Sequence, residues 1–149
     1  GRQPEARLLA ALMEFDPRLE GYQAVLLVSI HADSCEYVND EATGYKVASS
    51  YYSNDANLAA RLTSCLIDRY GATTGMPYHP GSITYDMTDY HAFGELDEGT
   101  TAAIIETGFL YLDYDILSNN PQLIADGIVS GILCFLADEN ATAVPNAVP

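Results

Sequence analysis

Two continuous apolar runs, each ending on a polar or charged residue, constrain the fold of this chain more than any other feature. The first is AVLLVSI, residues 24–30, which is followed directly by His31. The second is TAAIIE, residues 101–106. Continuous apolar strands are typical of parallel sheets, in which both faces of a strand are covered. We therefore expect two strands of a mostly parallel sheet, each buried on both faces.

Helical patterns separate the strand-like runs, and this alternation predicts an α/β fold. The clearest helix begins at Asn54 or Asp55, which can cap its first turn, and is expected to end at Gly71. The other predicted elements are helices over residues 4–15 and 121–137, a strand over 44–52, and a short strand within 85–93.

Composition limits the classes of function. A chain of 149 residues suits one domain, expected over residues 1–137, with 138–149 as a flexible tail or linker. A net charge of −15 argues against binding nucleic acid or an anionic lipid surface. No apolar run is long enough to cross a membrane. The chain begins with Gly1 rather than methionine, so we expect that an N-terminal segment was removed.

Three cysteines are present, without a CxxC pair, so a cysteine zinc site is not expected. Cys134, within GILCFL, has the surroundings of a buried apolar residue. Cys35 and Cys65 form one candidate disulfide in an oxidising compartment, and the sequence leaves this pairing open. The odd count leaves at least one thiol free.

His31 and Glu106 are the candidate functional residues, because ligands of α/β sheets bind beyond the carboxyl ends of strands. A neutral imidazole is a common metal ligand, and a carboxylate can act as general base for a metal-bound water. The alternatives are a hydrogen-bonded structural histidine and a capping or salt-bridged glutamate.

The motifs SIHADS and, about 70 residues later, IIETGFL resemble those of the zinc-dependent N-acetylmuramoyl-L-alanine amidases of bacterial cell walls. The order of elements is also similar, and the resemblance covers about residues 7–136. It implies a three-layer α/β/α domain in an exported or cell-envelope protein. It also implies hydrolysis of the peptidoglycan amide between N-acetylmuramic acid and L-alanine. By the same resemblance His31 matches a zinc histidine and Glu106 matches the catalytic glutamate.

The chain departs from the family at the metal site. The family's Gly-rich turn with the first zinc histidine, and the helix with the zinc glutamate, have no counterpart here, so two of three zinc ligands are missing. Tyr111 and Leu112 replace a usual polar pair. His91 and Asp33 are the candidates for residues beside the substrate or the metal site, and His79 is expected in an exposed loop.

Two hypotheses of different class follow. In the first, the chain is an amidase that hydrolyses its substrate through a zinc-activated water when the missing segment is present. In the second, it is a non-catalytic structural or self-assembling subunit built on the same fold. The partners expected are peptidoglycan, and either the missing N-terminal fragment or other copies of the chain, since uncovered strand edges promote association.

Overall fold

The computed structural model describes residues 24–96 and 99–141. The helix predicted over residues 4–15 lies outside the described residues. The strands are β1 (Leu26–Asp33), β2 (Lys46–Ser49) and β3 (Thr101–Phe109). The helices are α1 (Ala56–Thr74), α2 (Tyr85–Thr88), α3 (Tyr114–Asn119) and α4 (Pro121–Leu136), with 3₁₀ turns at Pro80–Ser82 and His91–Glu95. Within the described ranges, no helix has the length and hydropathy needed to cross a bilayer.

The sheet confirms the predicted α/β class. Its strand order is β1-β3-β2, with β3 in the centre. The β1–β3 pairing is parallel, whereas the β2–β3 pairing is antiparallel. A mostly parallel sheet is therefore not confirmed, because the described strands form one pairing of each kind.

Burial differs between the two apolar runs. The central strand β3 is buried over nearly its whole length, as its apolar run predicts. The expectation is wrong for β1, where Ile30 is 59% exposed and the other side chains are at most partly buried. Leu26, Leu27 and Val28 of β1 pack only partly against the core clusters on the two faces of the sheet, so this apolar run is incompletely covered.

The two long helices cover one face of the sheet. Helices α1 and α4 pack against each other, and Gly131 of α4 allows a close approach to Leu66 of α1. A Cβ atom at Gly131 would lie 2.9 Å from the Leu66 Cα. The core between these helices and the sheet includes Tyr45, Val47, Leu62, Leu66, Tyr70, Ala103, Ile105 and Ile128.

A disulfide joins the two helices and corrects the cysteine interpretation. Cys65 pairs with Cys134, with 5.7 Å between their Cα atoms, and Cys35 is the exposed free cysteine. The candidate Cys35–Cys65 pairing is therefore wrong, because the partner of Cys65 lies across the α1–α4 contact. Cys134 is buried as predicted.

The opposite face of the sheet is covered by short helical segments, where the pattern predicted a strand within residues 85–93. Met87 of α2 and Phe93 of the second 3₁₀ turn pack against Ala102 and Ile104 of β3. That prediction is wrong because these apolar residues cover the sheet from helical turns and do not form a further strand. The described residues thus form three layers, as the resemblance implies.

The ends of α1 and α4 agree with the sequence signals at most, but not all, positions. Asp55 caps α1 through hydrogen bonds from the Asn57 and Leu58 amides, as predicted. The helix ends at Gly75 (φ 70°) and not at Gly71, which lies inside the helix against the Tyr45 hydroxyl. Helix α4 has nearly its predicted bounds. Beyond it, residues 138 and 139 of the predicted tail form ion pairs with Arg61 and Arg69 of α1.

Candidate functional site

The parallel register of β1 and β3 places His31 directly opposite Glu106. Register partners of adjacent strands project from the same face of a sheet, so the two predicted site residues share one face. Both strands continue past these residues, to Asp33 and Phe109, so His31 and Glu106 lie just inside the strand ends. The structure therefore brings together the two residues that the motifs single out.

Lys46 completes a row across the three strands, because it is the antiparallel register partner of Glu106 on β2. Its side chain is 4% exposed, and its Nζ atom lies 3.0 Å from Glu106 Oε2. The same ammonium donates a hydrogen bond to the Asp33 carboxylate. It also donates to Ser82, at 3.1 Å to the backbone oxygen and 2.9 Å to Oγ, and lies 4.9 Å from the centre of the Phe109 ring.

The pKa values of the two carboxyl groups beside Lys46 are shifted in opposite directions. Burial raises the pKa of Glu106, and this effect exceeds the opposing hydrogen bond and charge of Lys46. Burial also disfavours ionisation of Asp33, but the hydrogen bond from Lys46, the Ser34 amide and the Lys46 charge outweigh it and lower the pKa of Asp33. Asp33 is therefore the carboxylate of the pair, and Glu106 the group that takes up a proton more readily.

His31 is held by contacts along its own strand and by an aromatic neighbour. Its Nε2 atom lies 3.0 Å from Ser29 Oγ, and its ring makes an edge contact with Tyr90 at 5.0 Å between centroids. The backbone carbonyl of His31 accepts a hydrogen bond from Thr107 Oγ1. These contacts fix the ring on the face that carries Glu106 and Lys46.

The other two histidines lie farther out. His91 is exposed, and its ring contacts that of Tyr90 in a tilted arrangement at 4.4 Å between centroids. Tyr90 therefore contacts both His91 and His31. His79 is partly buried, where an exposed loop residue was predicted, and its Nδ1 atom lies 2.8 Å from Ser82 Oγ. Ser82 thus links His79 to Lys46.

A buried aspartate anchors the chain around the site. Asp113 Oδ2 accepts hydrogen bonds from the Gly44 amide (2.9 Å) and the Phe109 amide (2.8 Å). Its other carboxylate oxygen accepts from Thr43 Oγ1. Asp113 therefore ties the loop before β2 to the end of β3, the two segments that carry Lys46 and Glu106.

The described residues do not fit a zinc ion by themselves. Within residues 24–96 and 99–141, no group of three or more His, Cys, Asp or Glu side chains is arranged to hold a metal ion. The cation beside Glu106 and Asp33 is instead the Lys46 ammonium. A catalytic zinc normally takes three protein ligands, and His31 is the one matched by the motifs.

Lys46 was missed in reading the sequence, although a signal was present. It is the sole lysine of the 149 residues, and it lies within a strand-like run. A lysine is almost never fully buried unless it is paired, so a lone lysine in a strand pattern indicates acidic partners. Asp113 carried no comparable signal, because two of its three partners, Thr43 and Gly44, are about 70 positions away in the sequence.

No protein-family profile and no curated protein matches this chain. Several solved structures are similar to this chain. The N-acetylmuramyl-L-alanine amidase Ami1 from Mycobacterium smegmatis has a TM-score of 0.61 and 20% identity, over 91% of this chain and 61% of that one. The CwlD amidase from Clostridioides difficile, in complex with the GerS lipoprotein, has a TM-score of 0.57 and 18% identity, over 93% of this chain and 68% of that one. An N-acetylmuramoyl-L-alanine amidase from Clostridium difficile 630 has a TM-score of 0.57 and 22% identity, over 90% of this chain and 66% of that one.

These similarities confirm the predicted resemblance at the level of the fold. The chain has the fold of N-acetylmuramoyl-L-alanine amidases over about nine-tenths of its length. It spans less than two thirds of the Mycobacterium amidase.

Proposed function

We propose that this chain is a peptidoglycan amidase domain that acts on the amide between N-acetylmuramic acid and L-alanine. The observation that carries the proposal is the register pairing of His31 with Glu106 inside an amidase fold. The motifs SIHADS and IIETGFL contribute these residues separately, and the sheet brings them to one face. A substrate that is part of the cell wall implies an exported or cell-envelope protein.

Glu106 is the proposed proton-transfer residue. A general base works best when its pKa lies close to the working pH, and burial raises the pKa of Glu106 in that direction. His31 is the proposed metal ligand of the family, and Asp33 and His91 are the proposed residues around the reacting amide. Asp33 holds Lys46 against Glu106, whereas His91 lies on the exposed side of Tyr90.

Zinc-dependent hydrolysis would need ligands from outside the described residues, since these contain no group of three metal-ligating side chains. The amidase Ami1 extends well beyond the part that this chain matches. We therefore assign the hydrolytic activity to an assembly in which a further segment completes the site. In that assembly this chain supplies the domain proposed over residues 1–137, and residues 138–149 are its tail or linker.

A non-catalytic, self-assembling subunit is the second candidate, and two observations favour it. The Lys46 ammonium already pairs with Glu106, the residue that would move protons. Among the described strands β1 lies at an edge of the sheet, where Ile30 is 59% exposed and Val25, just before the strand, is 64% exposed. Open strand edges promote pairing with another chain, which would be a completing fragment or a second copy.

Product analysis on purified peptidoglycan tests the proposal and separates the two candidates. The chain is assayed alone and as a longer form that includes a Gly-rich histidine turn. An amidase releases stem peptides with a new L-alanine amino terminus and leaves the glycan strands intact. We expect this product from the longer form. Light scattering that shows oligomers of the chain, with no new L-alanine amine from either form, would support the non-catalytic candidate instead.

A further inference from the structure

The sole lysine of this chain is also its most deeply buried charged side chain among the described residues. Lys46 is 3% exposed as a residue. The described arginines, Arg61 and Arg69, lie on α1 and are about one-third exposed, and their ion pairs are with Asp138, Glu139 and Asp68. A chain of net charge −15 has thus placed its one lysine where solvent does not reach it.

Lys46 is built into the site from several sides. Asp33 and Ser82 accept its hydrogen bonds, and the Phe109 ring lies beneath the ammonium at 4.9 Å. Glu106 Oε2 lies 3.0 Å from Nζ, so the ammonium has a second carboxylate partner besides Asp33. One buried cation is thus shared by two carboxyl groups.

We propose that the Lys46 ammonium is the built-in cation of this site, which neutralises Asp33 and Glu106 and opposes the binding of a divalent metal ion beside them. A divalent cation near Glu106 would be repelled by the ammonium across a dry, low-dielectric environment. It would also have to take the carboxylate oxygens that Lys46 now uses. The ammonium therefore occupies the place between Asp33 and Glu106 that a divalent cation would take.

The inference does not depend on amidase activity, because it concerns the affinity of the site for metal. It predicts that removing the ammonium leaves Asp33 and Glu106 as two carboxyl groups without their shared cation. An uncompensated pair of carboxylates attracts a divalent cation. A negative peptidoglycan assay therefore leaves the inference standing, because the inference is read from metal affinity and not from turnover.

The test compares the dissociation constant of Zn²⁺ in the full chain, in Lys46→Met and in Arg61→Met, by competition with a chromophoric chelator. We expect Lys46→Met to bind Zn²⁺ at least tenfold more tightly than the unmodified chain. Arg61→Met removes the same charge far from the site and should change the constant less than twofold. The double variant Lys46→Met/Glu106→Gln should lose the gain. Equal affinities in Lys46→Met and Arg61→Met would overturn the inference.

A second measurement on the unmodified chain covers the case in which Lys46→Met does not fold. Reductive methylation followed by peptide mass spectrometry reads Lys46 alone, because the chain has no other lysine. The Gly1 α-amine serves as the internal reference. We expect Lys46 to be protected without metal, and to become more reactive in proportion to any Zn²⁺ bound. Stoichiometric Zn²⁺ binding that leaves the protection of Lys46 unchanged would contradict competition between the two cations.

Discussion

Reduction of the Cys65–Cys134 disulfide should destabilise this domain by about 4 kcal/mol. The bond closes a loop of about 70 residues, since the two cysteines are separated by 69 positions. In the chain-entropy relation, a loop of that length restricts the unfolded chain by about 4 kcal/mol at 25 °C. The bond also lies where α1 packs on α4, so no part of the main core is remote from it.

Urea unfolding with and without reductant measures this effect. The midpoint should fall under reduction, and Cys65→Ala/Cys134→Ala should reproduce most of the change without reductant. Cys35→Ala is the matched control, because Cys35 is exposed and unpaired and its replacement should leave the midpoint unchanged. Thiol titration should find one free thiol in the native chain. A loss below about 1 kcal/mol on reduction, or three free thiols before it, would refute the pairing and its energetic role.

Three further predictions test the packing and the charges. Burial raises the pKa of Tyr45 from its ordinary value of 10.0 to about 12, so about 3 kcal/mol of stability, present below pH 10, should be lost as pH rises through 12. Tyrosinate absorbance follows all eleven tyrosines, so the difference between the unmodified chain and Tyr45→Phe isolates this ionisation, and Tyr45→Phe should reduce the loss of stability. Gly131→Ala should cost about 1–3 kcal/mol in urea unfolding, because its Cβ meets the Leu66 backbone, whereas Val129→Ala on the exposed side of α4 should cost less than about 0.5. Asp33 has a lowered pKa, so its contribution is present above 3.8 and lost as pH falls through the folded value; Asp33→Asn should weaken that acid dependence of unfolding, and an unchanged acid limb would contradict it.

The elements that the sequence predicted well are those specified by local patterns. The periodicity and cap of α1, the apolar length of α4 and the β3 run each depend on neighbouring residues. The motifs also identified His31 and Glu106, because each follows a strand-like run. Their opposition across β1 and β3 was then a consequence of strand pairing.

The features that were missed depend on partners distant in sequence. The burial of an apolar run depends on which distant segments pack over it, so the same pattern gave a wrong expectation for β1 and a confirmed one for β3. The partner of Cys65 lies 69 positions away, across a helix contact that no local pattern specifies. Lys46 was not singled out, because its acidic and polar partners, Asp33, Ser82 and Glu106, come from three other segments of the chain.

The most direct test of the proposed function is the turnover of purified peptidoglycan by the longer form, measured for Glu106→Gln against Glu36→Gln. Both substitutions remove one negative charge, but Glu36 is exposed and lies outside the site. Loss of a general base costs about 10²–10⁴-fold in rate. We predict that Glu106→Gln loses turnover by that factor and that Glu36→Gln retains full activity. Equal release of L-alanine-terminated stem peptides by the two variants would contradict the assignment of Glu106 and, with it, the proposed site.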